Sequence, residues 1–174
     1  MFRTPLARTL PGLLARAFST TPRAAHSLPL QIHGTGSGTV QTITVPGKAY
    51  TIATDTYTVL GGGDASPSPV SYALASLSSC NQVTGFVVAK DHGIAVGRWD
   101  VKVDALLPTA VLVGGAQGNP NFEEVTLTVK VQTDAKGKDF EHFAAEVDRR
   151  CPITQLFRRS GVVFKTEWVN EALF

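Results

Sequence analysis

The feature that most constrains the fold is one long apolar stretch, Pro67-Ser68-Pro69 followed by residues 70–90, with Cys80 near its middle. The prolines suit the first turn of a helix, and Gly93 provides a left-handed stop just beyond the stretch. We therefore expect a central helix that turns Cys80 toward the core. Its inward residues recur at steps of three and four, the spacing of one helix face: Val70, Ala73, Leu74, Leu77, Cys80, Thr84, Val87 and Val88.

A second cysteine, Cys151, ends another helical pattern at residues 139–150, whose apolar residues also point inward. Cys151-Pro152 then opens a short third helix, residues 153–159, because proline suits the first helical position. Cys151 is predicted to cap this helix, where free backbone N–H groups would favour its thiolate. Four arginines lie close in sequence and favour it further: Arg149, Arg150, Arg158 and Arg159. That Cys80 and Cys151 meet in a common core is a hypothesis at this point.

The remaining segments alternate apolar and polar residues or are rich in Thr, Val, Ile and Tyr, which predicts strands. These segments are residues 30–34, 38–45, 48–54, 94–107, 122–133 and 162–169. The glycine-rich stretch 34–38 is interpreted as a turn. Because strands and helices do not alternate regularly, the order strand-strand-strand, helix, strand-strand, helix, helix, strand predicts an α+β fold with a mainly antiparallel sheet.

The first 27 residues differ in composition from the rest of the chain. They contain four arginines, Arg3, Arg8, Arg16 and Arg23, whereas the first acidic residue is Asp55. This amphipathic, arginine-rich and acid-poor character is typical of a mitochondrial transit peptide. We therefore expect a leader at residues 1–27, a single domain at residues 28–174 and a location in the mitochondrial matrix. A disordered basic tail is the alternative, and interruption by arginines and prolines disfavours a secretory signal.

Several function classes are disfavoured by composition and spacing. Without the four leader arginines, 12 basic residues face 14 acidic ones, so no nucleic-acid footprint is expected. No apolar run approaches the length of a membrane span. The histidines are scattered, and no Cys-x-x-Cys or dinucleotide fingerprint occurs, so neither a metal nor a cofactor is predicted. What remains is cysteine chemistry, or two cysteines that act only as small buried hydrophobes.

At these residues the chain resembles the OsmC/Ohr family of thiol-dependent peroxidases. The resemblance covers about residues 34–169 and is strongest from Pro67-Ser68-Pro69 to Cys80-Asn81 and at Arg150-Cys151-Pro152-Ile153. It implies a β-β-β-α-β-β-α-α-β chain that forms an intertwined homodimer with sites at the subunit interface. By this resemblance Cys80 is the peroxidatic cysteine that attacks an organic hydroperoxide. Cys151 then resolves it as a disulfide, which a small dithiol or a lipoylated protein reduces.

Two positions depart from the family pattern. The family usually has a glutamate nine or ten residues before the peroxidatic cysteine, where this chain has Ser71 and Val70. The arginine that pairs with that glutamate is also missing, since no arginine occurs between Arg23 and Arg98. Lysine is a poor substitute for such a forked pair. We therefore expect Cys80 to be slower or differently activated. The alternative function is an OsmC-fold dimer that acts as a redox sensor or binds a small apolar ligand without turnover.

Overall fold

The structure, a computed structural model, describes residues 27–173. The predicted leader therefore lies outside the described residues, except for Ser27. Within these residues six strands form in the order of the sequence: β1 (His33–Ser37), β2 (Val40–Thr44), β3 (Thr51–Thr54), β4 (Val96–Leu106), β5 (Glu124–Thr133) and β6 (Val163–Ala172). Four α-helices accompany them: α1 (Pro69–His92), α2 (Thr109–Leu112), α3 (Lys138–Arg150) and α4 (Pro152–Arg159).

The strands form two separate three-stranded sheets. One sheet has the order β1-β2-β3 and is antiparallel throughout. The other has the order β4-β5-β6, in which β4 pairs with β5 antiparallel and β5 pairs with β6 parallel. The α+β class with a mainly antiparallel sheet is confirmed. The single parallel pair follows from α3 and α4, which carry the chain back to the end of the sheet where β5 began.

The core is built on the middle strand, β5. Its inward residues, Val125, Leu127, Val129 and Val131, are completely buried, as their alternation predicts. Helices α1 and α3 cover this face with Leu77, Val88, Phe143 and Val147, and α4 adds Phe157. Burial of such apolar surface contributes about 25 cal/mol per Å², so this layer stabilises the fold.

Helix α1 begins and ends where the sequence predicts, but its buried face is different. Ser68 accepts a hydrogen bond from the backbone N–H of Ser71 at the N-terminus, and Gly93 closes the C-terminus at φ +67°. The buried line includes Leu77, Asn81 and Gly85, whereas Val87 is 42% exposed. The predicted inward set is therefore wrong at Val87 and lacks three buried positions, Asn81, Gly85 and Ala89. Asn81 and Gly85 face inward because contacts outside the helix require them there, as described below.

One further local prediction is wrong, and one short element was missed. Residues 34–38 are not a turn, since most of them belong to β1, which pairs with β2 up to Ser37 opposite Val40. The reversal uses only Gly38 and Thr39, and Gly38 takes φ +61°, a conformation that costs glycine little. The single turn of α2 was not predicted, because four residues are too few to show helical periodicity.

Candidate thiol site

Cys80 lies at the middle of α1 and is only half-buried. Cys80 was predicted to lie on the buried stripe of this helix, and it is only partly buried there. Burial nevertheless raises the pKa of the Cys80 thiol above its ordinary value. A hydrogen bond from the backbone N–H of Ile153 opposes this rise in pKa, the Cys151 side chain adds to it, and Thr84 lowers it slightly. The structure therefore brings Cys80 together with Cys151 and with the first turn of α4.

Cys151 is completely buried between α3 and α4. It is the C-cap of α3 and the N-cap of α4, with Pro152 at the first helical position. The backbone N–H of Thr154 donates to the Cys151 sulfur over 3.5 Å. The predicted cap is confirmed, and its sulfur takes the place that a serine or aspartate oxygen commonly occupies.

Asn81, next to Cys80 in sequence, connects the two cysteine segments. It is completely buried, and its side-chain nitrogen lies 3.7 Å from the Cys151 sulfur and 3.0 Å from the Thr154 hydroxyl. Sequence reasoning missed this residue and its partner Thr154. The only signal was the spacing of Leu77, Asn81 and Gly85 at steps of four, which places one polar residue on an otherwise buried line.

Three of the four arginines expected to assist Cys151 are engaged elsewhere, and the fourth, Arg159, is exposed. Arg149 pairs with Glu146 at 2.7 Å, and this contact holds the pKa of Glu146 at about 2. Arg150 pairs with Asp91 and Arg158 with Asp148, each at 2.7 Å. Their charges are directed to carboxylates because a carboxylate binds the guanidinium fork better than a thiol does.

No cation is among the groups that act most strongly on Cys80. Lys48 is exposed, and Arg98 pairs with Asp100 on the surface. At the position of the expected glutamate, Ser71 joins a small hydroxyl cluster instead. Its hydroxyl lies 2.9 Å from that of Ser68 and 3.3 Å from that of Tyr57. These hydrogen bonds lower the pKa of Tyr57.

This hydroxyl cluster forms one wall of a cavity of about 640 Å³. Most of the remaining lining is apolar, including Leu74, Leu112 and Phe122. The cavity is also lined by Asp55, a buried carboxylate that accepts hydrogen bonds from the backbone N–H groups of Thr56, Gly63 and Ala65 and from the Thr39 hydroxyl. A cavity of this size and lining fits a small apolar molecule with one polar end.

Residues 27–173 show neither a metal site nor a membrane-spanning helix. No group of three His, Cys, Asp or Glu side chains in this part of the chain is arranged to hold a metal ion. Among the described helices, none is both long and apolar enough to cross a membrane. The reactive groups that the described residues bring together are thus the two free cysteines.

The fold and the site together define an α+β domain with a cysteine on a central helix and a second cysteine capping a neighbouring one. Residues 61–167 match the family model described as OsmC-like protein, and the chain belongs to this family. A search of curated protein sequences finds no match.

Solved structures share the fold at low sequence identity. An OsmC-like protein from Mycoplasma pneumoniae superposes with a TM-score of 0.68 at 15% identity, covering 83% of this chain and 99% of its own. An organic hydroperoxide resistance protein from Elizabethkingia anophelis gives a TM-score of 0.63 at 16% identity, covering 84% and 99%. The organic hydroperoxide resistance protein OhrB of Bacillus subtilis gives 0.56 at 17% identity, covering 81% and 98%. At such identities the likeness extends to the fold only.

Proposed function

We propose that the protein is a thiol peroxidase that reduces organic hydroperoxides, with Cys80 as the attacking residue and Cys151 as the resolving residue. The observation that carries this proposal is the asymmetry of two free cysteines that interact. Cys80 is half-buried and thus accessible, whereas Cys151 is completely buried beside it and capped by a backbone N–H. Membership of the OsmC-like family, in which neighbours are described as organic hydroperoxide resistance proteins, supports the same class of function.

The chemistry balances with these two residues. The Cys80 thiolate attacks the outer oxygen of the hydroperoxide, the O–O bond breaks, and the alkoxide takes a proton from solvent to leave as an alcohol. Cys80 is then a sulfenic acid. The Cys151 thiolate attacks that sulfur, an S–S bond forms, and hydroxide leaves and is protonated to water. A dithiol then reduces the disulfide by exchange and becomes a disulfide itself.

The uncharged surroundings of Cys80 favour a neutral, apolar hydroperoxide as substrate. The groups that act most strongly on the Cys80 sulfur include no cation that could bind a carboxylate or phosphate on the substrate. A neutral alkyl or lipid-type hydroperoxide needs no such group. Hydrogen peroxide, which has no apolar part, gains nothing from burial and is expected to react more slowly.

We infer that the working form is a homodimer. Val83 and Phe86 on α1 are 64% and 63% exposed, and all five residues of β1 are exposed in the single chain. A 24-residue helix with apolar residues on a second face needs a second surface to cover it. We further propose that the protein resides in the mitochondrial matrix and that a small dithiol or a lipoylated protein reduces it.

One experiment tests the peroxidase proposal. Reduced protein is mixed with one equivalent of cumene hydroperoxide or hydrogen peroxide, and disulfides are mapped by mass spectrometry. A Cys80–Cys151 bond is expected with cumene hydroperoxide, formed faster than a Cys80→Ser control loses thiols. If thiol loss is equally fast in the control, Cys80 is not the attacking residue.

A second candidate function is a redox sensor or binder of a small apolar ligand without turnover. The cavity of about 640 Å³ favours it, because its lining is mostly apolar and includes no cysteine. The raised pKa of the Cys80 thiol, with no cation beside it, is also consistent with slow chemistry. Steady turnover with dihydrolipoamide and cumene hydroperoxide would exclude this second function.

A further inference from the structure

The buried amide of Asn81 is placed to act on the resolving cysteine. Its nitrogen has three acceptors around it: the Leu77 carbonyl at 3.0 Å, the Thr154 hydroxyl at 3.0 Å and the Cys151 sulfur at 3.7 Å. The Leu77 carbonyl can only accept a hydrogen bond, so the atom facing it is the nitrogen and not the oxygen. The orientation of the amide is therefore fixed by the backbone of its own helix.

An amide nitrogen carries two hydrogens, so three acceptors must share them. One hydrogen is donated to the Leu77 carbonyl, which lies one turn earlier in α1. The other is divided between the Thr154 oxygen and the Cys151 sulfur. Because a hydrogen bond to a charged acceptor is about twice as strong as one to a neutral acceptor, this share shifts toward the sulfur when Cys151 becomes a thiolate.

We propose that Asn81 is a positioning residue for Cys151, an inference that rests on the proposed peroxidase function. Together with the backbone N–H of Thr154, its amide gives the buried Cys151 sulfur two N–H donors, at 3.7 and 3.5 Å. These donors hold the sulfur toward Cys80 and stabilise its negative charge in two steps. In one step Cys151 attacks the oxidised Cys80, and in the other it leaves when a dithiol attacks the Cys80 sulfur.

The charged groups nearest in the chain do not provide this stabilisation. On α3, Arg149 and Arg150 pair with Glu146 and with Asp91 of α1. On α4, Arg158 pairs with Asp148, and Arg159 is exposed to solvent. Cys80 is the titratable group of α1 that interacts with Cys151. Since these arginines of the described residues are paired or exposed, neutral N–H donors are the means by which this part of the chain can favour a thiolate.

A purely structural role explains the amide less well. The side-chain oxygen of Asn81 is buried and has no hydrogen-bond partner within residues 27–173. Such an unpaired oxygen costs stability, and leucine, of similar size, would avoid that cost at a buried position. We therefore attribute the position of the amide to the hydrogen bonds of its nitrogen, which is the atom directed at Cys151.

The test measures the rate at which the Cys80–Cys151 disulfide forms, with two oxidants and over a range of pH. Cumene hydroperoxide makes the sulfenic acid of Cys80. The Cys80 thiolate adds to the N=N bond of diamide. Attack by Cys151 on the Cys80 sulfur then forms the disulfide and releases the hydrazine. In Asn81→Leu, disulfide formation is expected to slow about tenfold or more at neutral pH with either oxidant, and the pH profile of the step moves upward.

The matched control is Val88→Ala, a buried position on the same helix that makes no hydrogen bond to either cysteine. It is expected to lower the unfolding temperature while leaving the pH profile of disulfide formation in place. An Asn81→Leu variant that forms the disulfide at the wild-type rate, with the wild-type pH profile, would overturn the inference.

A second variant is expected to change the rate of disulfide formation in the opposite direction. It tests the inference even if Asn81→Leu fails to fold. Thr154→Val keeps the size and the backbone N–H but removes the oxygen that competes for the Asn81 hydrogen. Disulfide formation should become severalfold faster at mildly acidic pH. An unchanged or slower rate contradicts the inference. If wild type forms the disulfide with diamide but not with cumene hydroperoxide, the peroxidase proposal fails alone, and the diamide rates still decide the role of Asn81.

Discussion

The backbone N–H of Thr154 donates to the sulfur of Cys151, so a single residue both caps α4 and carries a reactive group. This coupling of cap and thiol is a local consequence of Cys151-Pro152, since proline at the first helical position leaves the preceding residue as the cap. It also predicts that the two roles of Cys151 separate on mutation.

Cys151→Ser is expected to keep the cap and lose the chemistry. Serine is a good N-cap, whereas alanine at this position should cost about 1 kcal/mol of unfolding free energy relative to serine. Chemical denaturation of the two variants measures this difference. After oxidation with cumene hydroperoxide, Cys151→Ser should accumulate a Cys80 sulfenic acid that dimedone traps. Wild-type turnover of Cys151→Ser with a dithiol would show that Cys151 does not resolve Cys80.

The reactivity of Cys80 should increase steeply with pH. Burial raises the pKa of its thiol above the ordinary value, so at neutral pH only a small fraction is thiolate. That fraction grows about tenfold per pH unit until the pKa is reached. Stopped-flow measurement of the reaction with cumene hydroperoxide in Cys151→Ser isolates this step. A rate that is already constant from pH 6 to pH 8, about the physiological range, would mean that Cys80 is ionised there and that an unseen group activates it.

Gly85 should not tolerate a side chain. A Cβ built at this position would overlap the ring of Trp99, which packs against α1. Alanine is favoured over glycine by about 1 kcal/mol in a helix, but overpacking of a core costs about 1–3 kcal/mol, so Gly85→Ala is expected to destabilise. Thermal unfolding measures the result, with Ser79→Ala on the exposed side of α1 as a near-neutral control. A gain in stability for Gly85→Ala would mean that Trp99 moves aside freely.

Asp55 should stabilise the loop that borders the cavity. Hydrogen bonds from Ala65, Thr56, Thr39 and Gly63 lower the pKa of its carboxyl below the ordinary value of 3.8. Because the folded-state pKa is lowered, this contribution is present above the ordinary value and is lost as the pH falls through the folded-state pKa. Asp55→Asn should therefore lower the unfolding temperature at neutral pH, and the difference from wild type should shrink in strong acid.

Asp64→Asn is the matched control for this loop, because Asp64 is exposed. It should leave the unfolding temperature nearly unchanged at every pH. A constant difference between wild type and Asp55→Asn from neutral pH down through the carboxyl range would show that charge on Asp55 is unimportant.

The sequence was sufficient to predict the parts of the structure that depend on a local pattern of residues. The alternation of Val125, Leu127 and Val129 predicts a buried face, and Cys151-Pro152 predicts a capped helix start; both are found. The arrangement of Asn81 was not predictable, because it depends on a hydrogen bond to Thr154, 73 residues away. Gly85 was missed for the same reason, since its partner Trp99 belongs to another element.

The expectation that nearby arginines assist Cys151 was wrong for a related reason. Proximity in sequence to Cys151 suggested an electropositive site, but Arg149, Arg150 and Arg158 each have a carboxylate partner. Charge pairing is decided by three-dimensional neighbours such as Asp91, which lies on α1. The catalytic roles of Cys80 and Cys151 remain predictions, supported by their contact and by the family.

The most direct measurement is the mass of the peptide pair produced when fully reduced protein meets one equivalent of cumene hydroperoxide. The proposed function predicts a Cys80–Cys151 disulfide within the protein and one equivalent of alcohol released. Cys80→Ser should give neither product, and Cys151→Ser should release the alcohol without the disulfide. Recovery of both cysteines as free thiols, with the hydroperoxide unconsumed, would contradict the assignment of this protein as a peroxidase.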